Sequence, residues 1–285
     1  VDWNMRDPYI RLKLTDRAVR WACVGATAVA VVPLVSVLGY VVAQGIGGIR
    51  PAFFTELPRP VGELGGGMAN AIVGSAVLVG LASLIAVPLG VLGGVYLSEF
   101  GNNRFGRLVR FSSDVMTGVP SIVVGIFVYT LIVLSMRRFS AIAGGVALAI
   151  LMLPTVTRST EELIKLVPDS LREAALALGV SRWRATLFVV LRTAAPGIVT
   201  GVMLAVARAA GETAPLLFTA FNNRFWNQGL DQPIASLPVQ IFTYAVAPYH
   251  DWHEQAWAAA LVLLLLVLLL NLGARYAVST RTRAR

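Results

Sequence analysis

An all-α, polytopic integral membrane protein with six transmembrane helices is predicted by three features of this 285-residue sequence. Hydrophobic residues make up 56% of it and charged residues only 14%, well below the ~25% charged of an average soluble domain. Apolar stretches recur along the chain, each near or above the ~20 residues that cross a bilayer as a helix. The charge that remains gathers in the short segments between them. The net charge of +9 therefore does not indicate nucleic acid. Basic residues flank apolar stretches, as membrane topology demands, and no basic patch interleaved with aromatics is available to stack bases.

Taken in order, residues 1–17 are polar and form an N-terminal segment. The first span, about 18–44, is too long for a signal-peptide core and is expected to be a retained helix. Residues 45–68 are rich in Gly and Pro and read as a loop with room for a short interfacial helix. The second span, about 69–97, contains Pro88, Gly90, Gly93 and Gly94. Neighbouring helices can re-satisfy the backbone at such residues, and small side chains allow close packing. The third span, about 108–134, carries Pro120-Ser121 midway, either as a packing kink or as a polar gap. The fourth, about 141–157, is short. The fifth spans about 194–220, with Pro196-Gly197 at its start. A long loop follows over 221–255, and the sixth, Leu-rich span covers about 256–274 before a basic tail at 279–285. Cys23 excludes an intrachain disulfide and is expected as a small buried side chain. His250-Asp-Trp-His-Glu254 places ligand atoms in one loop, but a solvated loop is the simpler reading and no metal is expected.

Six spans put both termini on one side, and basic residues decide which. The terminal side holds Arg6, Arg11, Lys13, Arg17 and Arg20 at the start of the chain, Arg104, Arg107 and Arg110, six basic residues between 158 and 192, and those of the tail. The other side has only Arg50, Arg59, Arg137, Arg138 and Arg224. Both termini and the stretch 158–193 are expected in the cytoplasm.

That stretch is the most informative. Ser170 and Glu173 have capping-box spacing. Leu171, Ala174, Ala175 and Leu178 share a helical face, Gly179 suits a helix stop, and Ser181 can cap a second short helix. Small residues on an exposed turn fit either an ordinary capped surface helix or a helix that docks in a partner's groove. The pattern Glu173-Ala174-Ala175, three residues, Gly179, then Pro196-Gly197-Ile198, resembles the permease subunits of ATP-binding-cassette importers of the type I fold. Three further motifs resemble the phosphate importers among them: Gly118-Val-Pro-Ser-Ile-Val-Val-Gly125, Leu153-Pro-Thr-Val-Thr-Arg-Ser-Thr-Glu-Glu162, and Arg208-Ala-Ala-Gly-Glu-Thr-Ala-Pro-Leu-Leu-Phe-Thr-Ala220. The resemblance covers roughly residues 70–278 and implies a single permease domain, 18–278, with 158–193 as its coupling loop. Ser170, Glu173, Ala174, Ala175 and Gly179 would then contact an ATPase.

The only lysines, Lys13 and Lys165, do not follow a Gly-rich phosphate-cradling run. No ATP site is expected in this chain; ATP and Mg would be held by a partner ATPase. The resemblance also implies a second homologous permease subunit, an ATPase dimer, an extracytoplasmic phosphate-binding protein, inorganic phosphate as substrate and a bacterial plasma (inner) membrane location. Sulfate or molybdate permeases are the nearest alternatives. A secondary transporter or channel would not need the coupling loop, and an enzyme would need a nucleophile with a base or a metal cluster.

Arg208 is expected inside the fifth span with Glu212 four residues on. A charge at that depth costs about 2.5–3.5 kcal/mol on insertion scales and usually faces a bundle interior or a water-filled path. Either the two residues form a self-neutralising pair, or Arg208 is an anion station with a guanidinium fork that matches phosphate oxygens. Glu212 would then keep the site from holding its anion too tightly. Arg158, at the end of the fourth span, is either a positive-inside anchor or, as the resemblance implies, part of the same pathway. Thr213 could add a hydroxyl.

Overall fold

The computed structural model describes residues 8–63 and 65–283, and every regular element among them is helical. Residues 1–7, with Arg6, and residues 284–285, with Arg285, lie outside the described residues. Helix α1 (Pro8–Gly45) already covers most of the expected polar N-terminal segment. A 3-10 turn (Ile46–Gly48) and the short α2 (Pro51–Thr55) fill the Gly/Pro-rich loop. They lead to α3 (Ala69–Glu99), with Pro88 inside it.

The third expected span is broken. Helix α4 (Arg104–Gly118) ends before Pro120. Then α5 (Ser121–Val128) continues through a π turn (Tyr129–Val133) into α6 (Leu134–Met136) at 105° to α4. Proline disfavours helical backbone in the residue before it, and Val119 is extended at ψ 129°. Pro120-Ser121 is thus a corner between two helices rather than a kink within one.

Helix α7 (Ala141–Lys165) runs two turns beyond the expected end at 157. The short α8 (Asp169–Ala177) follows. The fifth span starts earlier than expected: α9 (Arg182–Ala185), a π turn (Thr186–Val190) and α10 (Leu191–Ala210) form one continuous helix, so Pro196 is interior. It stops at Ala210, and α11 (Ala214–Thr219), with Pro215 in its first turn, is separate. Of the long loop 221–255, residues Leu237–Ala245 form the mostly buried α12. Helix α13 (His250–Arg283) starts at the histidine cluster and includes most of the basic tail. His253 Nε2 lies 2.6 Å from the Ala247 carbonyl at the start of that helix. Among the described residues, five helices are long and apolar enough to cross a membrane, and the bent pair α4 with α5–α6 makes a sixth if it counts as one span.

The core forms where α3 and α7 pack side by side, with α10 and α11 closing over them; Leu78, Ala86, Leu148, Met152, Val156 and Ala205 are buried there. Close approach requires glycine on α3. A Cβ at Gly90 would sit 2.7 Å from Val156 Cγ1, and one at Gly94 2.5 Å from Thr160 Cβ. This is the small-residue packing by which membrane helices gain van der Waals contact. A second buried cluster, with Phe53, Met68, Leu237 and Tyr244, joins α2, α3, α12 and α13. Loop 221–236 is tied down by backbone bonds from Ala141 and Ile142 to Gln232 and Leu230, and by Asn70 Nδ2 donating to the Asn223 carbonyl at 2.6 Å.

Helix α1 meets the rest of the chain at its C-terminal end, where Tyr40 packs edge-on against Trp257. Most of its described apolar side chains are exposed, and so is Cys23, contrary to the expected burial. An apolar environment around a membrane helix is lipid or partner as readily as core, so hydrophobicity alone does not bury a residue within its own chain.

Candidate functional site

The residues singled out by the sequence fall in three regions. The first is α8. Its N-cap position is Pro168, and Asp169 supplies the acidic residue of the first turn. Ser170 lies one residue inside and makes no side-chain cap bond, so the expected Ser170–Glu173 capping box is absent. Proline presets φ, here −58°, and an acid at the helix start complements the dipole, so no serine cap is needed. Ser181 occupies the N-cap position of α9, also without a side-chain bond.

The end of α8 is built as a Schellman motif. Val180 N–H donates to Ala175 O at 3.1 Å, Gly179 N–H to Leu176 O at 2.9 Å, and Gly179 has φ +79°. A Cβ there would meet nothing within 4 Å, so substitution costs backbone strain alone. Gly179→Val is expected to weaken this stop by about 1–2 kcal/mol. The measurable sign is faster proteolysis at residues 178–181 with an unchanged global melting temperature. Unchanged proteolysis would show that the left-handed residue is dispensable.

The faces of α8 divide differently from expectation. Leu171, Ala174 and Leu178 are exposed, Leu178 to 85%, whereas Ala175 is buried within its own chain. Ala175 is covered within the chain, where α8 rests on the π turn Thr186–Val190. Glu173 and Leu176 are exposed and line a cleft of about 210 Å³ together with Glu99, Arg172, Arg182 and Thr186.

The second region is a group of charges on α7 and α4. Glu161 is fully buried. Its Oε1 accepts from Arg110 Nε at 2.7 Å and Lys165 Nζ at 2.6 Å, and its Oε2 from Arg158 Nη1 at 2.9 Å. Arg158 Nε also reaches Asp114 Oδ1 at 3.1 Å. Arg110 further donates to Gly101 O at 3.0 Å and Leu97 O at 2.5 Å, the end of α3. Arg158 is therefore a half-buried member of an ion network and not a free anchor at a helix end. The sequence reading missed Glu161, Arg110 and Asp114. Part of the signal was local: Arg158, Glu161 and Lys165 have i,i+3 and i,i+4 spacing on one helix face.

Arg208 lies in the last turn of α10, not at the centre of a span. The negative end of the helix dipole favours a cation there. Its side chain is 58% exposed, and Nε is 3.9 Å from Glu212 Oε1, while the Glu212 side chain is 16% exposed. Both residues border a small niche with Thr155 and Met152 of α7, one turn from Arg158. Thr213 is the N-cap residue of α11; its carbonyl accepts from Leu216 and Leu217, and its hydroxyl makes no cap bond. Arg208 and Glu212 thus come together across a helix break, and Arg158 is drawn instead to the Glu161 network.

Residues 86–283 match the family described as "Binding-protein-dependent transport system inner membrane component". The chain is similar to "Phosphate transport system permease protein PstA" of Yersinia pestis, at 50% identity over 243 residues, covering 85% of this chain and 82% of the relative. The protein of the same name in Haemophilus influenzae is 46% identical over 240 residues, covering 84% of this chain and 85% of that one. "Phosphate transport system permease protein PstA 1" of Mycobacterium tuberculosis is 40% identical over 262 residues, covering 90% and 86%. Among solved structures, a chain of the inward-facing MetNI methionine ABC transporter superposes with a TM-score of 0.59 at 18% identity, covering 74% of this chain and 92% of that one. A chain of an amino acid ABC transporter with histidines gives 0.52 at 19% identity, covering 75% and 92%. These last two speak to the fold alone.

Proposed function

The chain belongs to the family of binding-protein-dependent transport system inner membrane components, and on that footing we propose that it is a permease subunit of an ATP-driven phosphate importer. The observation that carries this is the name shared by relatives at 40–50% identity over most of the chain, all phosphate permeases. The local chemistry agrees. Arg208 offers a guanidinium on a more than half-exposed side chain, and its ion pair with Glu212, at 3.9 Å, is loose. An anion station needs a fork that can exchange partners.

In this reading the chain supplies half of the transmembrane pathway beside a second homologous permease. Two ATPase subunits hold ATP and Mg and dock on the exposed α8 face, Leu171, Ala174 and Leu178 with Gly179. An extracytoplasmic phosphate-binding protein delivers the substrate. Both termini and α8 lie in the cytoplasm of a bacterial cell, with the helices in its plasma (inner) membrane. Arg208 and Glu212, with Thr213 nearby, line the path, and Arg158 acts where the path meets the Glu161 network.

Reconstitution tests this. The four-part complex in proteoliposomes should take up radiolabelled phosphate only with ATP present, and excess sulfate or molybdate should not compete. Uptake of sulfate or molybdate in place of phosphate would move the chain to another oxyanion. Uptake without ATP would remove the importer class.

A further inference from the structure

Helix α8 has little apolar anchorage of its own. Among its residues only Ala175 is buried, while Leu171, Leu176 and the C-cap residue Leu178 are exposed. One guanidinium supplies a polar attachment beside the packing of Ala175. Arg172, 20% exposed, donates from Nε and Nη2 to Glu99 Oε1, at 3.1 and 3.0 Å, and Glu99 is the last residue of α3. Its Nη1 reaches Val167 O at 2.7 Å and Asp169 Oδ1 at 2.9 Å, and its Nη2 also reaches Ile164 O at 3.0 Å. Ile164 and Val167 flank the C-terminal end of α7. A single side chain thus binds the ends of two membrane helices to the short helix outside them.

Arg110 repeats the arrangement from α4. It holds Leu97 O and Gly101 O at the end of α3, and Glu161 on α7. The two arginines therefore grip the same pair of helix ends from different elements. Charge-assisted bonds from a planar fork are directional, so they resist shear better than contact between exposed leucines and solvent.

We infer that Arg172 is a positioning residue that makes α8 move as one body with α3 and α7, and through Arg110 with α4. A displacement imposed on α8 by the ATPase then reaches the membrane helices rather than being absorbed in the loop. This rests on the permease function proposed above. It concerns coupling, not docking, because Arg172 points inward and the exposed face of α8 is left intact by its replacement.

The test uses the full complex in proteoliposomes, with ATP hydrolysis, phosphate uptake and co-purification of the ATPase measured on the same preparation. Arg172→Gln is expected to keep the ATPase bound and hydrolysing, while phosphate moved per ATP falls about tenfold, the effect of losing charge-assisted bonds. Arg172→Lys should recover part of that ratio, since a point charge can still meet Glu99 but cannot also serve the two carbonyls. Glu99→Gln, which leaves the arginine and its carbonyl bonds in place, should lower the ratio by a smaller factor, and it decides the matter if Arg172→Gln fails to assemble. A merely structural role would reduce hydrolysis and uptake in the same proportion. A ratio unchanged from wild type in an assembled variant overturns the inference. Failure of the wild-type complex to transport phosphate would instead strike the permease reading, so the two outcomes are distinguishable.

Discussion

Arg208→Gln is expected to lower phosphate uptake about 10- to 100-fold while the complex still assembles, the loss matching the ~1.5–3 kcal/mol of a hydrogen bond to a charged group. Assembly should survive because Arg208 is exposed and its pair with Glu212 is long, and such pairs contribute about 0–1 kcal/mol. Arg208→Lys should recover little, because an ammonium lacks the planar fork. The double change Arg208→Gln with Glu212→Gln separates the two roles. If the residues only neutralise each other, removing both charges restores transport, since no lone charge is left in the niche beside Met152. If Arg208 handles the anion, the double variant assembles and still does not transport. Recovered uptake in it would leave Arg208 as a packing residue.

Glu161→Gln is expected to be the most destabilising of the conservative changes. It leaves Arg110, Arg158 and Lys165 facing a neutral amide in a fully buried position. Breaking a buried ion pair costs about 3–5 kcal/mol, and here the lower end applies because the three cations reach solvent. The expected result is a lower melting temperature in detergent and a reduced yield of complex. Asp114→Asn serves as the contrast. Asp114 is more than half exposed and pairs with Arg158, so its loss should cost less than about 1 kcal/mol. Equal melting temperatures for the two variants would mean that Glu161 does not hold α4 to α7.

Local pattern made much of the helix inventory legible. Apolar length marked α1, α3, α7, α10 and α13, because the energetic rule for crossing a membrane is local: backbone groups must bond within the segment, and side chains must be apolar. Gly90 and Gly94 were readable as a close-packing stripe for the same reason, and Gly179 as a helix stop, since only glycine takes a left-handed backbone without strain. The motif around Glu173 and the one around Arg208 could both be placed from the sequence, though not which way their side chains turn.

What the tertiary structure decided are the ends of helices and the partners of charges. The fourth span was expected to end at 157, where charge begins; α7 continues to Lys165, and its buried Glu161 takes one of its partners, Arg110, from another helix 51 residues earlier. The corner at Pro120 divides a stretch that is long and apolar enough, taken together, to read as one span. Ala175 and Ala174 are chemically identical neighbours, yet one is buried and the other exposed, because the π turn Thr186–Val190 lies under a single face of α8. Composition and spacing determine which segments can enter the bilayer, since that depends on each segment's own free energy of transfer. Which charge meets which, and which face of a helix is covered, depends on contacts between residues far apart in the chain, and these exist only once the helices have packed.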